Sequence, residues 1–444
     1  MNCKSLLKLS LLSGVFFGAT QANAQMVGSS VFLKGKYVEI GIGHLGYYGS
    51  DTAAPAGFHP HCAGSAITGS LGFVADPAMT GWDTSSSSHY MGDYFVPGAP
   101  FEGWYLQAGS KRCQGYNTGI DTSLLVCRGI TTASGSNTAY TASGTTVSGV
   151  WTGAIDSIGI SQVTTLDTNA LFFTVQVTLT NHSTSPINDI YYFRSLDPDN
   201  DETWPGGAFT TDNQINNQMP DTTGLSAVTA TGQSSTHPQL TLGSTDTASR
   251  AVIYDSWPID TAQDLASVYA ESSSVAGGSY YYPGVLHTGD LAIGLVMHVA
   301  HLATVDSAGD SVARVTSTVA RHPANTATFT YFYAFSADAV DSAVAHANAT
   351  TGTPPSLSIK NVNTVADVKV YPNPSKDMIN VTGLTAGDNV TLYDMVGRNM
   401  GQNWVAGGQR INSFNYNNVP AGAYLLTVSD ANGNVKARVS VRKM

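Results

Sequence analysis

An all-β fold is predicted for this chain: a β-rich region built as one large sandwich or two adjacent ones, followed by a small Ig-like sandwich of seven strands. Three observations carry that expectation. Residues 171–180 alternate Phe173, Val175, Val177 and Leu179 with Thr174, Gln176 and Thr178, the period of two that turns one face of a strand to a core. Residues 368–444 alternate short β-branched runs with turn residues about every ten positions, the rhythm of a small antiparallel sandwich. Helical character is confined to residues 337–347, an Ala-rich stretch with Asp338 near its start, and to a short segment at 261–269.

The chain opens on an export address. Lys4 and Lys8 flank the start of an apolar run at 9–19, and Ala22-Asn23-Ala24 offers a small-x-small site, so residues 1–24 are expected to be a signal peptide. No later segment reaches the length of a membrane-spanning helix; the longest apolar stretch, 291–303, is interrupted by His298 and His301. Residues 25–350 then form the β-rich passenger, residues 351–367 a linker marked by Gly352, Pro354 and Pro355, and residues 368–444 the terminal module.

Within the passenger, residues 31–43 are expected to form one long strand, and 43–49, rich in glycine and tyrosine, a loop. Residues 55–100 lack regular periodicity but interleave Trp82, Tyr90, Tyr94 and Phe95, with Phe101, Trp104 and Tyr105 just beyond. These rings can line a carbohydrate-stacking surface or close the core in place of regular structure, and the usual burial of large aromatics favours the second. Residues 147–151 and 155–163 read as a hairpin. Residues 189–194 are expected to pair with 171–180 across a turn, and further strands are placed at 240–242, 251–254, 292–299, 312–319 and 326–335.

Charge and cysteines bound the partners. Residues 25–350 hold 26 Asp and Glu against 9 Lys and Arg, a net of −17 within a chain total of −11, which repels nucleic acid and anionic lipid. Cys113 and Cys127 end a short loop containing Gly115, Asn117 and Gly119 and are expected to be disulfide-bonded after export, a link worth about 3 kcal/mol by loop entropy. Cys62 is the odd thiol.

The terminal module carries ordered motifs: Tyr371-Pro372-Asn373-Pro374, then Leu392-Tyr393-Asp394 with Gly397-Arg398, then Val419-Pro420-Ala421-Gly422-Ala423-Tyr424 and a basic last strand. Pro372 and Pro374 must end the first strand, since proline donates no ladder hydrogen bond, and Gly397 suits a tight turn. Taken together, the motifs resemble the C-terminal sorting domain of the type IX secretion system. That resemblance covers the last sixth of the chain. It implies a cargo of outer-membrane translocation in a Bacteroidota-type bacterium, secreted or held at the outer-membrane surface after passage through the periplasm. It also implies the type IX machinery as partner and removal of the tail by a surface sortase-like peptidase.

Among candidates for chemistry, Asp197, Asp199 and Asp201 stand at alternate positions in a turn and could aim their oxygens at one calcium ion of structural purpose. Glu202 stands where an EF-hand has glycine, so the expectation is a generic calcium loop. The alternative is a solvated acidic turn partly neutralised by Arg194. His59, His61 and Cys62 have the density of a zinc site but no second cluster to complete it. Gly41, Gly43 and Gly46 fit a dinucleotide fingerprint, yet no helix start follows. No nucleophile elbow or metalloprotease helix motif occurs, although a pair of carboxylates suffices for a glycosidase. The reading is a non-enzymatic adhesin or glycan- or matrix-binding module, with a secreted polysaccharide or peptide hydrolase as the alternative.

Overall fold

The computed structural model describes residues 23–61, 68–95, 102–116, 125–220, 223–255, 263–271, 279–304, 325–350, 368–394, 399–409, 411–430 and 435–444. Its chain divides into two compact units, Met1–Pro355 and Ser356–Met444. The expected strand at 312–319, residues 1–22 of the expected signal peptide, Cys62, Phe101, the linker at 351–367 and Gly397 lie outside the described residues, while Ala24 begins the strand Ala24–Val27.

The larger unit holds three antiparallel sheets: a nine-stranded and a seven-stranded one that form a sandwich, and a four-stranded one ordered Ala24–Val27, Ser30–Lys34, Val38–Ile42 and Phe73–Ala75. Nine strands form one sheet, ordered Leu286–Gly289, Thr211–Asn217, Ser226–Gly232, Gln239–Ser244, Thr326–Ala334, Phe172–Asn181, Ile158–Asp167, Thr146–Ile155 and Ala133–Ser143. Seven form the other: Ser279–Tyr280, Ser249–Tyr254, Ala292–Leu302, Ile187–Leu196, Glu102–Ala108, Lys111–Tyr116 and Leu125–Arg128. One core joins Val175, Val177 and Leu179 of the first sheet to Ile190, Tyr192 and Leu295 of the second. Val31, Leu33, Ile40 and Phe73 of the four-stranded sheet join the same core, so the unit is one sandwich extended by a third sheet.

Both outer faces are covered as well. The helix Ala337–Thr350, started by the Ser336 hydroxyl accepting from the Ala339 amide at 3.2 Å, lies on the nine-stranded sheet, where His346 reaches Thr174. The short helix Leu265–Tyr269 caps the other sheet through Leu265 and Val268 against Phe193, Val252 and Tyr254.

Two expectations are corrected. Residues 31–43 form a hairpin, Ser30–Lys34 with Val38–Ile42, because Gly35 turns the chain and its amide donates to the Val38 carbonyl at 2.7 Å. Ile187–Leu196 does not pair with Phe172–Asn181. It crosses to the opposite sheet between Glu102–Ala108 and Ala292–Leu302, while Phe172–Asn181 pairs with Ile158–Asp167 and Thr326–Ala334. The turn residues 181–188 span the gap between sheets, a connection that local pattern does not distinguish from a hairpin.

That crossing puts a charge in the core. Along Ile187–Leu196 the inward residues Ile190, Tyr192, Arg194 and Leu196 alternate with the outward Phe193, and Glu102 faces inward on the neighbouring strand. Arg194 and Glu102 are both fully buried and joined in a fork, Nη2 to Oε2 at 2.7 Å and Nε to Oε1. Glu102 also accepts from the Tyr333 hydroxyl at 2.8 Å and the Tyr48 amide at 2.7 Å. Arg194 Nη1 donates to Gln162 Oε1 at 3.0 Å and to the Gly46 carbonyl at 3.1 Å. Gly46 has φ +78°, and a Cβ there would stand 2.6 Å from Trp151, so glycine is required in this loop. Around the pair, Phe73, Phe95, Phe173, Tyr333 and Phe335 form a ring cluster with centroids 4.8 to 6.0 Å apart. Tyr90, Tyr94, Trp104 and Tyr105 are buried too, so most of the interleaved aromatics close the core.

The smaller unit stacks a three-stranded sheet, Lys369–Tyr371, Met378–Thr382 and Ile411–Asn415, on a four-stranded one ordered Asn399–Val405, Asn389–Asp394, Gly422–Ser429 and Val435–Lys443. Ile379, Val381, Leu392, Leu426 and Val428 fill its core. Asn399–Val405 is the strand that pattern reading leaves out, since its Asn and Gly residues carry little β propensity.

Truncating one member of the buried pair should strand the other. Arg194→Met is expected to lower unfolding free energy by about 3–5 kcal/mol. Arg194→Met with Glu102→Leu should cost less than the single change, as read from guanidinium unfolding curves.

Candidate functional site

Arg194 points into the core, so it does not neutralise the acidic turn that follows its strand. The turn is held by its own backbone. Asp199 N donates to the Tyr94 carbonyl at 3.0 Å, and Asn200 Nδ2 donates to the carbonyls of Ala230 and Pro238 at 2.9 and 3.0 Å. Asp201 adopts φ +54° and turns away from its neighbours, accepting on Oδ1 from the amides of Gly92 at 2.8 Å and Asp93 at 2.9 Å. Of the three expected ligands, Asp201 anchors the loop to residues 92–93 through Oδ1, and its Oδ2 is buried without a hydrogen-bond partner.

The other two meet Asp290. Asp197, Asp199 and Asp290 each offer one carboxylate oxygen, all within 4.8 Å of one another. The ladder explains the meeting. Leu196 pairs with Ile293, so the residues after Leu196 run beside those before Ile293, where the chain passes from Leu286–Gly289 of the nine-stranded sheet to Ala292–Leu302 of the seven-stranded one.

This site is electrostatically uncompensated. Asp197 is 2% exposed and Asp199 4%, and the Oδ1 atoms of both are buried without a hydrogen-bond partner. No Lys, Arg or His among the described residues pairs with either. Burial, with the Asp290 charge beside it, pushes Asp197 up to about 8; burial, with Asp197, Glu202, Asp290 and Asp93 around it, pushes Asp199 up to about 9. Burial also raises Asp201 to about 7, against the two amides that donate to it.

The histidine cluster is spent on structure. His61 Nδ1 bonds Asp93 and Nε2 accepts from the Gly72 amide at 2.8 Å, which leaves no ring nitrogen for a metal. His59 bonds Glu39 at 3.0 Å and stacks on Trp82 at 4.2 Å. Cys113 and Cys127 are disulfide-bonded across the ladder of Lys111–Tyr116 and Leu125–Arg128.

In the smaller unit the motif residues tie loops to strands. Tyr371 ends the first strand and is exposed, and Asn373 Oδ1 accepts from the Arg442 amide at 2.8 Å, so the segment holding Pro372 and Pro374 sits against the last strand. The buried Tyr424 donates its hydroxyl to the Pro420 carbonyl at 2.7 Å, closing the turn before Gly422. Asp394 is opposite Tyr424 in the ladder.

A large acidic sandwich and a separate seven-stranded module define an all-β protein of modular build. Residues 369–442 match the family model of the secretion system C-terminal sorting domain. The smaller unit is thus a type IX sorting domain, and the chain is exported through that machinery to the cell surface or the medium. No curated protein sequence matches the chain. Among solved structures, a polysaccharide lyase is similar at 10% identity and TM-score 0.28, covering 90% of this chain and 47% of the lyase. A chondroitinase AC lyase is similar at 13% identity and TM-score 0.15, covering 67% and 36%. PorZ, a surface component of the type IX secretion system of Porphyromonas gingivalis, is similar at 10% identity and TM-score 0.16, covering 95% and 86%. The chain spans about half the length of the first of these and about a third of the second.

In metal-free buffer the raised carboxyls set a pH slope. Their folded values lie above the unfolded value of about 3.9, so the stability they contribute is whole below about pH 4 and lost as pH rises toward about 8 and 9. Urea midpoints of the chelated protein should fall across that window, and Asp199→Asn should flatten the fall.

Proposed function

We propose that the chain is an exported, non-enzymatic binding module that contacts neutral extracellular glycan through one aromatic edge of its sandwich. The observation that carries this reading is exposure. Tyr282 is 73% exposed, Val285 47% and Leu286 57%, on the segment joining the edge strands Ser279–Tyr280 and Leu286–Gly289 of the two sheets. Phe209, 60% exposed, precedes Thr211, which pairs with Gly289 on the same edge. His287 is stacked on Tyr280 at 3.8 Å beside them. Ring faces held open to water pack well on the C–H faces of sugars, and a contiguous apolar edge on an otherwise polar surface marks a contact site. The net charge of −17 on residues 25–350 turns away uronic and sulfated polymers, which leaves neutral ones.

On the same reading, residues 1–24 deliver the chain to the periplasm, and a surface peptidase separates the tail within 351–367 in a Bacteroidota-type host. Hydrolysis is the second reading, favoured by Asp197 and Asp199: a carboxyl raised by burial is what a glycosidase needs as its acid. It requires sugar release that Asp199→Asn abolishes.

Native gels containing a glucan, a mannan or a xylan test the binding reading. At least one should retard the protein, and Tyr282→Ala with Phe209→Ala should weaken that retardation about tenfold, or about 1.4 kcal/mol, without moving the unfolding midpoint. Equal mobility in all three polymers removes the proposal.

A further inference from the structure

We propose that Asp197, Asp199 and Asp290 hold one calcium ion, which ties the connection between Leu286–Gly289 of one sheet and Ala292–Leu302 of the other to the loop after Ile187–Leu196. Oxygens within 4.8 Å of one another can share an ion whose bonds are about 2.4 Å long. The second observation is independent of their proximity: Asp197 and Asp199 are almost wholly buried, and each carries an Oδ1 with no hydrogen-bond partner. A buried carboxylate without donor or cation is strongly penalised, and here it occurs twice, two residues apart in one loop.

Donor chemistry selects the ion. All three ligands are carboxylates, with no thiol or imidazole in the cluster, which suits a hard cation and disfavours zinc or copper. Asp290 is exposed and provides the route of entry from solvent, with room for water ligands to bring the count to the six to eight that calcium takes. Glu202 and Asp93 stand close enough to Asp199 to add negative potential without being needed as ligands. Export places the chain where extracellular modules bind calcium at about 0.1–1 mM. The inference does not depend on glycan binding, since its readout is stability.

The full chain is melted in chelator, in about 1 mM calcium and in about 1 mM magnesium. Calcium should raise the midpoint by about 3 °C or more, magnesium by clearly less, and titration calorimetry should count one site. Asp290→Asn should fold normally and lose the calcium response. Asp197→Asn should lose it too while melting higher than the parent in chelator, because its buried charge is gone; a purely structural carboxylate would lower the midpoint in both buffers. No calcium shift with no heat, or an undiminished response in Asp290→Asn, overturns the proposal.

Discussion

A single arginine, buried at the centre of the larger sandwich, constrains nearly everything built around it. Arg194 alternates in sequence with core residues, so the period of the strand that seats Tyr192 and Leu196 in the core also drives a guanidinium there. Only a complete set of acceptors makes that tolerable. Glu102 supplies two from the adjacent strand, Gln162 one from the opposite sheet and Gly46 one from the N-terminal loop, while Tyr48 lays its ring 4.6 Å from the guanidinium. The ion pair thereby fixes the register of the two facing sheets and the path of residues 43–49 together. A hydrophobic pair could fill the space, but it would place no demand on Gly46 or on the Tyr48 amide.

The same strand carries the candidate cation site. Two residues beyond Arg194, Leu196 is the last core residue of the strand, and Asp197 and Asp199 follow beside the connection that holds Asp290. Rigid placement of the strand gives the acidic loop a fixed position, and the Asn200 and Asp201 anchors then prevent it from spreading its charges apart.

What could be read from the chain alone follows the range of the interaction. Period-two strands such as Phe172–Asn181, the helix Ala337–Thr350 and the linear motifs of the sorting domain depend on neighbours in sequence and were legible. Pairings were not: Ile187–Leu196 looks like the return arm of a hairpin, yet it belongs to the other sheet. Asp197 and Asp199 were visible as a motif, whereas Asp290 is brought to them only by the ladder, and Asp201 departs because of a left-handed turn that spacing does not encode. Exposure of Tyr282 and Phe209 has no sequence signature either; the aromatics that drew notice between Tyr90 and Tyr105 proved mostly buried.

The two units divide the labour. Acidic Asp and Glu residues dominate the sandwich, while the terminal module carries the opposite balance and the motif loops bound by Arg442 and Tyr424. That division makes export the most direct point of attack. Removing residues 369–442 in the producing bacterium should leave the sandwich folded and held between the two membranes, detected by antibody in the periplasmic fraction. Undiminished sandwich at the surface or in the medium would contradict the account.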